Sequence, residues 1–194
     1  LRDDPRPARA VKTFFILSLP RSRTAWLSVF LTYENSYCFH EGLVECESVS
    51  ALPRLFAATG KPVVGNSDCG NILFLDELRE TFPDAKFVIV ERPLAEVVDE
   101  LHHMGLNNFD PETIEYAAHE LTLARRTLDA LLIDYRDLDE NVCRHIWQHC
   151  IGTPFDESRW RMLDGLDIQI ILSKKLAAIR RNGSNLESLL GRAH

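Results

Sequence analysis

The sequence predicts an α/β fold built on a parallel sheet. Short, mostly apolar runs rich in β-branched and aromatic residues alternate with longer amphipathic runs. This alternation is typical of strands joined by crossover helices, which pair side by side in one parallel sheet. No internal repeat, low-complexity tract or long Pro-, Gly- or Ser-rich linker interrupts the pattern of the 194 residues. We therefore expect a single domain over residues 1–194.

Five segments are predicted to be strands. All are short and mostly apolar, and the fourth is the clearest because Val and Ile residues fill its centre. The predicted strands are Thr13–Leu19, Ser36–His40, Pro62–Asn66, Lys86–Glu91 and Leu131–Tyr135.

Helices are predicted between these strands and after the last one. Asp110, Pro111 and Glu112 supply an N-cap, a proline in the first turn and an acid near the positive end of the helix dipole. Glycines at positions where helices should end mark several stops. The predicted helices are Arg23–Thr32, Ser50–Thr59, Ile72–Phe82, Leu94–Met104, Pro111–Ala130 and Asp137–Cys150, followed by a helical tail from about residue 157.

Composition and charge exclude several classes of protein. With 22 basic and 29 acidic side chains the net charge is −7, which disfavours a general binder of nucleic acid. The five cysteines form no CxxC pair, and their odd number argues against a disulfide framework. No apolar run reaches the roughly 18 residues of a membrane helix, and the first residues lack the apolar segment of a signal peptide. We expect a cytoplasmic protein with reduced thiols and no membrane partner.

The most informative segment runs from a buried strand through a short polar turn into a helix, Phe14 to Leu27. The turn has the guanidinium groups of Arg21 and Arg23 and the hydroxyls of Ser22 and Thr24. In a parallel sheet such a turn lies at the carboxyl edge, and the helix start offers free N–H groups to an anion. This pattern predicts a phosphate or sulfate site, although two solvated arginines in a surface turn are the simpler alternative.

The turn does not match the pattern of ordinary nucleoside triphosphatases. Against GxxxxGK[ST], the eight residues from Leu17 match only at Thr24, with Arg23 in place of the Lys and both glycines missing. An ATPase or a kinase-like phosphotransferase is therefore disfavoured.

The turn resembles instead the 5′-phosphosulfate loop of sulfotransferases that use 3′-phosphoadenosine 5′-phosphosulfate (PAPS), roughly P-[KR]-S-G-T-[TS]-[WL]. Arg23 replaces the Gly of that pattern and Ala25 replaces its second hydroxyl residue. The matching residues are Pro20, Arg21, Ser22, Thr24 and Trp26. The resemblance implies a three-layer P-loop-type fold with a five-stranded parallel sheet in the order 2-3-1-4-5. It also implies that residues 20–26 bind PAPS as co-substrate, without a metal.

A second segment, from Phe82 to Val98, resembles the strand that leads to the nucleotide 3′-phosphate in this family. The resemblance implies that Arg92 binds that phosphate. The family's usual Ser falls on Glu100, whose carboxylate would repel a phosphate. The alternative is that Arg92 only forms a strand-end ion pair with Glu91 or Glu96.

The resemblance continues towards the C-terminus. The segments Leu131–Leu138 and Ile151–Asp156 are similar to structural parts of the family. Arg180-Arg181-Asn182-Gly183 is weakly similar to an Arg-Lys-Gly element that closes over the 3′-phosphate, which would make Arg181 and Gly183 further ligands. A basic helix end that faces solvent explains these residues equally well.

Sulfuryl transfer needs a base that takes the proton of the acceptor. It also needs a positively charged group beside the transferred sulfuryl group, and Arg21 would supply that charge. Phe39-His40-Glu41-Gly42 resembles an element of bacterial members, so Glu41 is the first candidate for the base and His40 the second. Alternatively, His40 caps the strand and Glu41 pairs with Arg21 or Arg23. After the third strand, Ser67 and Asp68 are candidate acceptor-site residues.

These patterns predict a sulfotransferase-like enzyme whose acceptor is a hydroxyl or amine on a small molecule or glycan. The alternative is a degenerate P-loop fold that binds a phosphate or nucleotide without sulfuryl transfer. Adjacent His102 and His103 do not share a helix face, and no carboxylate completes a metal pattern with His145 and His149, so no metal site is expected.

Overall fold

The computed structural model describes residues 11–46, 48–106, 110–164, 166 and 168. Within these residues, five parallel strands form one sheet in the order β2-β3-β1-β4-β5. The predicted α/β class and strand order are confirmed, and the architecture matches a three-layer, P-loop-like fold. The strands are β1 (Lys12–Ser18), β2 (Ser36–His40), β3 (Val63–Ser67), β4 (Lys86–Glu91) and β5 (Ala130–Asp134).

Seven α-helices flank the sheet in the described part of the chain, with three short 3-10 helices at Gly42–Glu45, Val49–Ala51 and Cys69–Phe74. The α-helices are α1 (Thr24–Leu31), α2 (Leu52–Ala58), α3 (Leu75–Thr81), α4 (Leu94–His103), α5 (Pro111–Thr127), α6 (Glu140–Cys150) and α7 (Glu157–Asp164).

Most boundaries differ from the predicted ones by one to three residues, and contacts explain two of these differences. The helix expected from Ile72 begins instead with the 3-10 helix at Cys69, because the Asp68 carboxylate accepts the Gly70 N–H at 2.7 Å and starts the turn earlier. Helix α5 ends at Thr127 rather than at Ala130, because Ala130 pairs with Phe87 and belongs to β5. In both places a contact outside the predicted helix determines where the helix starts or stops.

The core lies in two layers, one on each face of the sheet. Successive residues of β1 point to opposite faces, so Phe15 and Leu17 belong to one layer and Phe14 and Ile16 to the other. Each of these four side chains is fully buried, which stabilises the fold by about 1.5–3 kcal/mol per residue. Gly65 of β3 faces Phe14, and a Cβ at Gly65 would lie 2.2 Å from the ring. The central strand is therefore packed tightly on both sides.

Strand β2 lies at one edge of the sheet. Helix α1 packs beside it, and the Thr32 hydroxyl accepts the Cys38 N–H at 3.0 Å. The same hydroxyl donates to the Ser28 carbonyl at 2.9 Å, with the Cys38 carbonyl 3.3 Å away. The middle of this edge strand is therefore bonded to a side chain of the same chain. In the described part of the protein, no helix has the length and apolar character needed to cross a membrane.

The register brings the carboxyl ends of the inner strands together. Ser67 at the end of β3 pairs with His40 of β2 and with Ile16 of β1, and Ser18 at the end of β1 pairs with Val90 of β4. The turn that follows β1 therefore starts between β3 and β4. This is the edge at which ligands bind in open parallel sheets.

Candidate anion-binding site at the carboxyl edge

The turn formed by residues 20–24, named here the anion turn, has a strained backbone. Arg21 and Arg23 adopt left-handed conformations with φ of 66° and 64°. Among the described residues, Glu41, with φ of 61°, is the one other non-glycine residue with positive φ. An L residue in this region costs roughly 1–2 kcal/mol, and such strain concentrates at functional sites. All three strained residues are candidate site residues.

Arg23 is the N-cap of α1 and takes the left-handed conformation that glycine adopts most readily. The turn therefore forms although the Gly of the sulfotransferase pattern is missing. No side chain caps the helix at this end, so the N–H groups of its first turn stay available to an anion.

Two buried hydroxyls lie in this part of the chain. The Oγ atoms of Ser18 and Ser22 make no hydrogen bond within the described structure, and both residues are fully buried. Buried polar groups are nearly always hydrogen-bonded, so such exceptions require an explanation. Ser22 was predicted as a site residue, whereas Ser18 was not, although a polar residue that closes an apolar strand is a visible signal.

Arg92, which follows β4, links that strand to the anion turn. Its Nη1 donates to the Arg21 carbonyl at 2.5 Å, and its guanidinium lies 4.5 Å from the centre of the Tyr135 ring. Its Nε lies 3.8 Å from the Glu96 carboxylate, so the predicted alternative of a strand-end ion pair is present with Glu96. Glu91 binds Arg125 instead, at 2.8 Å.

Helix α4 presents two carboxylates to the arginines of the site. Besides Arg92, Glu96 accepts hydrogen bonds from the Tyr135 hydroxyl and from Arg136. The Tyr135 hydrogen bond and these cations hold the pKa of Glu96 below its usual range. Glu100, one turn further along, lies 3.3 Å from Nη2 of Arg21. The residue that replaces the family's Ser thus contacts the arginine of the anion turn.

On the other side of the turn, His40 approaches Thr24. Its Nε2 lies 3.4 Å from the Thr24 hydroxyl, and the Glu41 carboxylate lies 4.0 Å from the same nitrogen. Glu41 is exposed, whereas His40 is half-buried. The structure places Glu41 beside His40, while Arg21 lies beside Glu100.

A groove of 380 Å³ runs between α1 and the edge strand β2, with His40 among its lining residues. Val29 and Tyr37 give it exposed apolar surface, and Glu45 adds a carboxylate. Arg159 also lines it, but its guanidinium donates to carbonyls at the end of α1. His40 therefore belongs both to this groove and to the surroundings of the anion turn.

Four buried polar residues beside the turn, named here the polar frame, are Asn66, Ser67, Asp68 and Asn71. The Ser67 hydroxyl donates to the Thr24 carbonyl at 2.9 Å. The Asn71 amide donates to the carbonyls of Ile16 and Asn66, each at 3.0 Å.

Ser67 and Asp68 were predicted for an acceptor site, and the structure gives both of them hydrogen bonds to nearby backbone. Asp68 accepts from Gly70 and, at 3.4 Å, from Leu43. The Asn66 carboxamide accepts the Gly42 N–H at 2.9 Å and donates to Asn71 at 2.8 Å. The sequence pattern did not indicate Asn71, because an asparagine in a loop has many uses.

The remaining predicted site residues differ in position. Trp26 is buried, stacks on Phe30 with ring centres 5.1 Å apart, and donates to the Leu163 carbonyl at 3.1 Å, so it supports α1 from within the core. Pro20 begins the turn and Ala25 lies in the first turn of α1, and both are half-buried. Arg181 and Gly183 lie outside the described residues.

Metal ligands do not cluster in the described part of the chain: no group of three or more His, Cys, Asp or Glu side chains is placed to hold a metal ion there. His149, one of the histidines noted in the sequence, contacts the Phe87 carbonyl at 3.0 Å, and burial lowers its pKa. This contact gives His149 a structural role within the fold.

The site thus combines an uncapped helix start with two buried hydroxyls and the nearly buried Arg21 and Arg92. His40 lies on the other side of the anion turn. This arrangement is suited to a tetrahedral anion and to proton transfer beside it. Comparison with known proteins returns no matching family model and no matching curated protein.

Proposed function

We propose that this chain is a sulfotransferase-like enzyme that transfers a sulfuryl group from PAPS to a hydroxyl or amine acceptor. The supporting observation is the pair of buried hydroxyls, Ser18 and Ser22, that find no partner in the described structure beside the arginines of the turn. A sulfate or phosphate group offers acceptors to these donors and to the N–H groups of α1.

In this proposal residues 20–26 hold the 5′-phosphosulfate. Arg92 binds the 3′-phosphate, with Arg181 and Gly183 as further ligands implied by the resemblance. The acceptor atom attacks the sulfur, the bond from sulfur to the 5′-phosphate oxygen breaks, and adenosine 3′,5′-bisphosphate leaves. Positive charge on Arg21 stabilises the negative charge that develops on the transferred group and on the leaving phosphate.

The contacts favour His40 over Glu41 as the base. The ring of His40 reaches Thr24 of the anion turn, whereas the nearest contact of the Glu41 carboxylate to this group is the same ring nitrogen, Nε2, at 4.0 Å. Glu41 then stabilises the imidazolium that forms when His40 accepts the proton of the acceptor. The groove between α1 and β2 leads to the same ring and offers the acceptor a route. A cytoplasmic setting belongs to the same proposal.

The second candidate function is a nucleotide-binding module without sulfuryl transfer. It is favoured by the ion pairs of Arg21 with Glu100 and of Arg92 with Glu96, which neutralise both arginines within the fold. The two candidates agree on an anion site and differ on chemistry. Transfer of labelled sulfate from PAPS to a panel of phenols, amines and saccharides separates them.

Calorimetry with adenosine 3′,5′-bisphosphate tests the site itself. Arg21→Ala should weaken binding by about tenfold or more, because a charge-assisted hydrogen bond is lost. The matched control is Arg126→Ala, which removes an exposed arginine of α5 and should leave the affinity unchanged. Absence of binding to the unmodified protein, or equal affinity after Arg21→Ala, would contradict the proposal.

A further inference from the structure

The Glu100 carboxylate contacts the arginine on which the proposed ligand depends. Arg21 is only 13% exposed at its side chain, while the Glu100 side chain is 38% exposed, and their charged atoms lie 3.3 Å apart. We infer that Glu100 is an internal counter-anion that determines the affinity of the site: its carboxylate neutralises Arg21 and leaves it when a sulfate or phosphate group binds. The identity of the natural ligand in this inference rests on the proposed function.

Of the two partners, the glutamate is the one able to move away. The Arg21 backbone is bonded to Arg92 through its carbonyl and has a constrained left-handed conformation. Glu100, in contrast, lies on the flank of α4, whose Val97 and Leu101 side chains face the core. Its partly exposed carboxylate reaches water by rotation of its own side chain.

The stability of α4 does not explain a carboxylate at this position. Glu100 lies in the last turn of the helix, since its carbonyl accepts the N–H of the C-cap residue Met104. Negative charge near a helix C-terminus opposes the helix dipole, so Glu100 destabilises the helix that carries it. Its ion pair with Arg21 is the interaction that offsets this cost.

Glu96 provides the contrast within the same helix. It lies in the first turn of α4, where negative charge is favourable, and it binds Tyr135 and Arg136 as well as Arg92. Glu96 therefore joins α4 to the end of β5, which is a structural task. The Glu100 carboxylate, in contrast, accepts a hydrogen bond from Arg21 of the anion turn itself.

An anion that binds in the turn lies close to Glu100 unless the carboxylate moves. The pair distance is 3.3 Å, and at physiological ionic strength charges are screened only beyond about 8 Å. The ligand and the carboxylate therefore compete for Arg21 and repel one another. Removal of the Glu100 charge should strengthen binding of any anion that uses Arg21.

The test compares Glu100→Gln with Asp99→Asn by calorimetry, with inorganic sulfate and adenosine 3′,5′-bisphosphate as probes. Asp99 is the neighbouring residue on the exposed side of α4, so its variant removes the same charge from nearly the same place without touching Arg21. We expect Glu100→Gln to bind both probes on the order of fivefold more tightly, and Asp99→Asn to bind them within about twofold of the unmodified protein. Glu100→Ala serves as a second variant should the first one not fold.

Each outcome is decisive. Equal effects of the two substitutions, or weaker binding after Glu100→Gln, overturn the inference and leave the proposed function intact. Tighter binding of sulfate by Glu100→Gln, with no binding of the nucleotide by any protein, supports the inference and contradicts the proposed function. Failure of every protein to bind either probe overturns both.

Discussion

Two groups of buried polar side chains flank the anion turn, and they differ in how their hydrogen bonds are met. In the polar frame, the carboxamides of Asn66 and Asn71 bond to each other and to the backbone of β1 and of the loop after β2. On the strand side, the equally buried hydroxyls of Ser18 and Ser22 have no such partners in the described structure.

The difference indicates a structural role for the polar frame and supports the binding role proposed for the turn. A satisfied network of buried polar groups fixes the relative positions of the elements it joins, because each broken bond leaves a buried group unpaired. Unsatisfied donors have the opposite property, since they gain a partner only when something binds. The polar frame therefore fixes the position of the turn, and under the proposed function the bound anion supplies the partner that the two hydroxyls lack.

The largest expected effect is in the frame. Asn71→Ala should lower the free energy of unfolding by about 3 kcal/mol, because it removes hydrogen bonds to Ile16 and Asn66 and leaves both residues' groups buried. Urea denaturation measures this. The exposed Asn141 of α6 is the control, and its replacement by Ala should change stability by less than about 0.5 kcal/mol. Similar effects of the two variants would show that the frame is not a scaffold.

A smaller effect of opposite sign is expected in the turn. Arg23→Gly should raise the free energy of unfolding by about 1 kcal/mol, since glycine adopts the φ of 64° without strain. Gly60→Ala is the converse control: Gly60 also has φ of 64° with no atom near its Cβ position, so Ala should cost about 1 kcal/mol there. Thermal denaturation compares them, and a destabilised Arg23→Gly protein would mean that the turn is not strained.

The smallest expected effect separates binding from stability. Ser22→Ala should leave the free energy of unfolding within about 0.5 kcal/mol, because the hydroxyl has no partner to lose in the described structure, yet weaken sulfate binding by about three- to tenfold. Denaturation and calorimetry on the same protein provide both values. A clear loss of stability with unchanged binding would place Ser22 in the scaffold.

Much of the fold was predictable because it depends on local patterns. The bounds of β2 and β4 agree with the predicted ones, and the Asp110 cap that was expected for α5 is present. The 3-10 helix at Cys69–Phe74 was missed because a cap at Asp68 produced it, and the start of β5 was missed because pairing with β4 sets it. Tertiary contacts determined these boundaries, and hydrophobic periodicity does not report them.

The candidate site was predictable in part. The turn was predicted from a strand, a polar turn and a helix in succession, and Arg92 from the resemblance of its segment to the sulfotransferase family. Arg21 and Glu100 are 79 positions apart in the sequence, and the residues around each of them do not indicate the contact. Ser18 and Asn71 were missed for a related reason. The sequence shows that both residues are polar, but only the packing shows that Asn71 has hydrogen-bond partners within the described structure and that the Ser18 hydroxyl has none.

The bonds between Thr32 and Cys38 have a consequence for the protein in concentrated solution. An edge strand with free N–H and carbonyl groups is a template onto which a second molecule adds a strand, and repetition of this step produces aggregates. The Thr32 hydroxyl accepts the Cys38 N–H in the middle of β2, and Ser36 at the start of the strand exchanges both backbone hydrogen bonds with Tyr33. Contacts within the same chain therefore oppose growth of the sheet at this edge, beside the groove between α1 and β2.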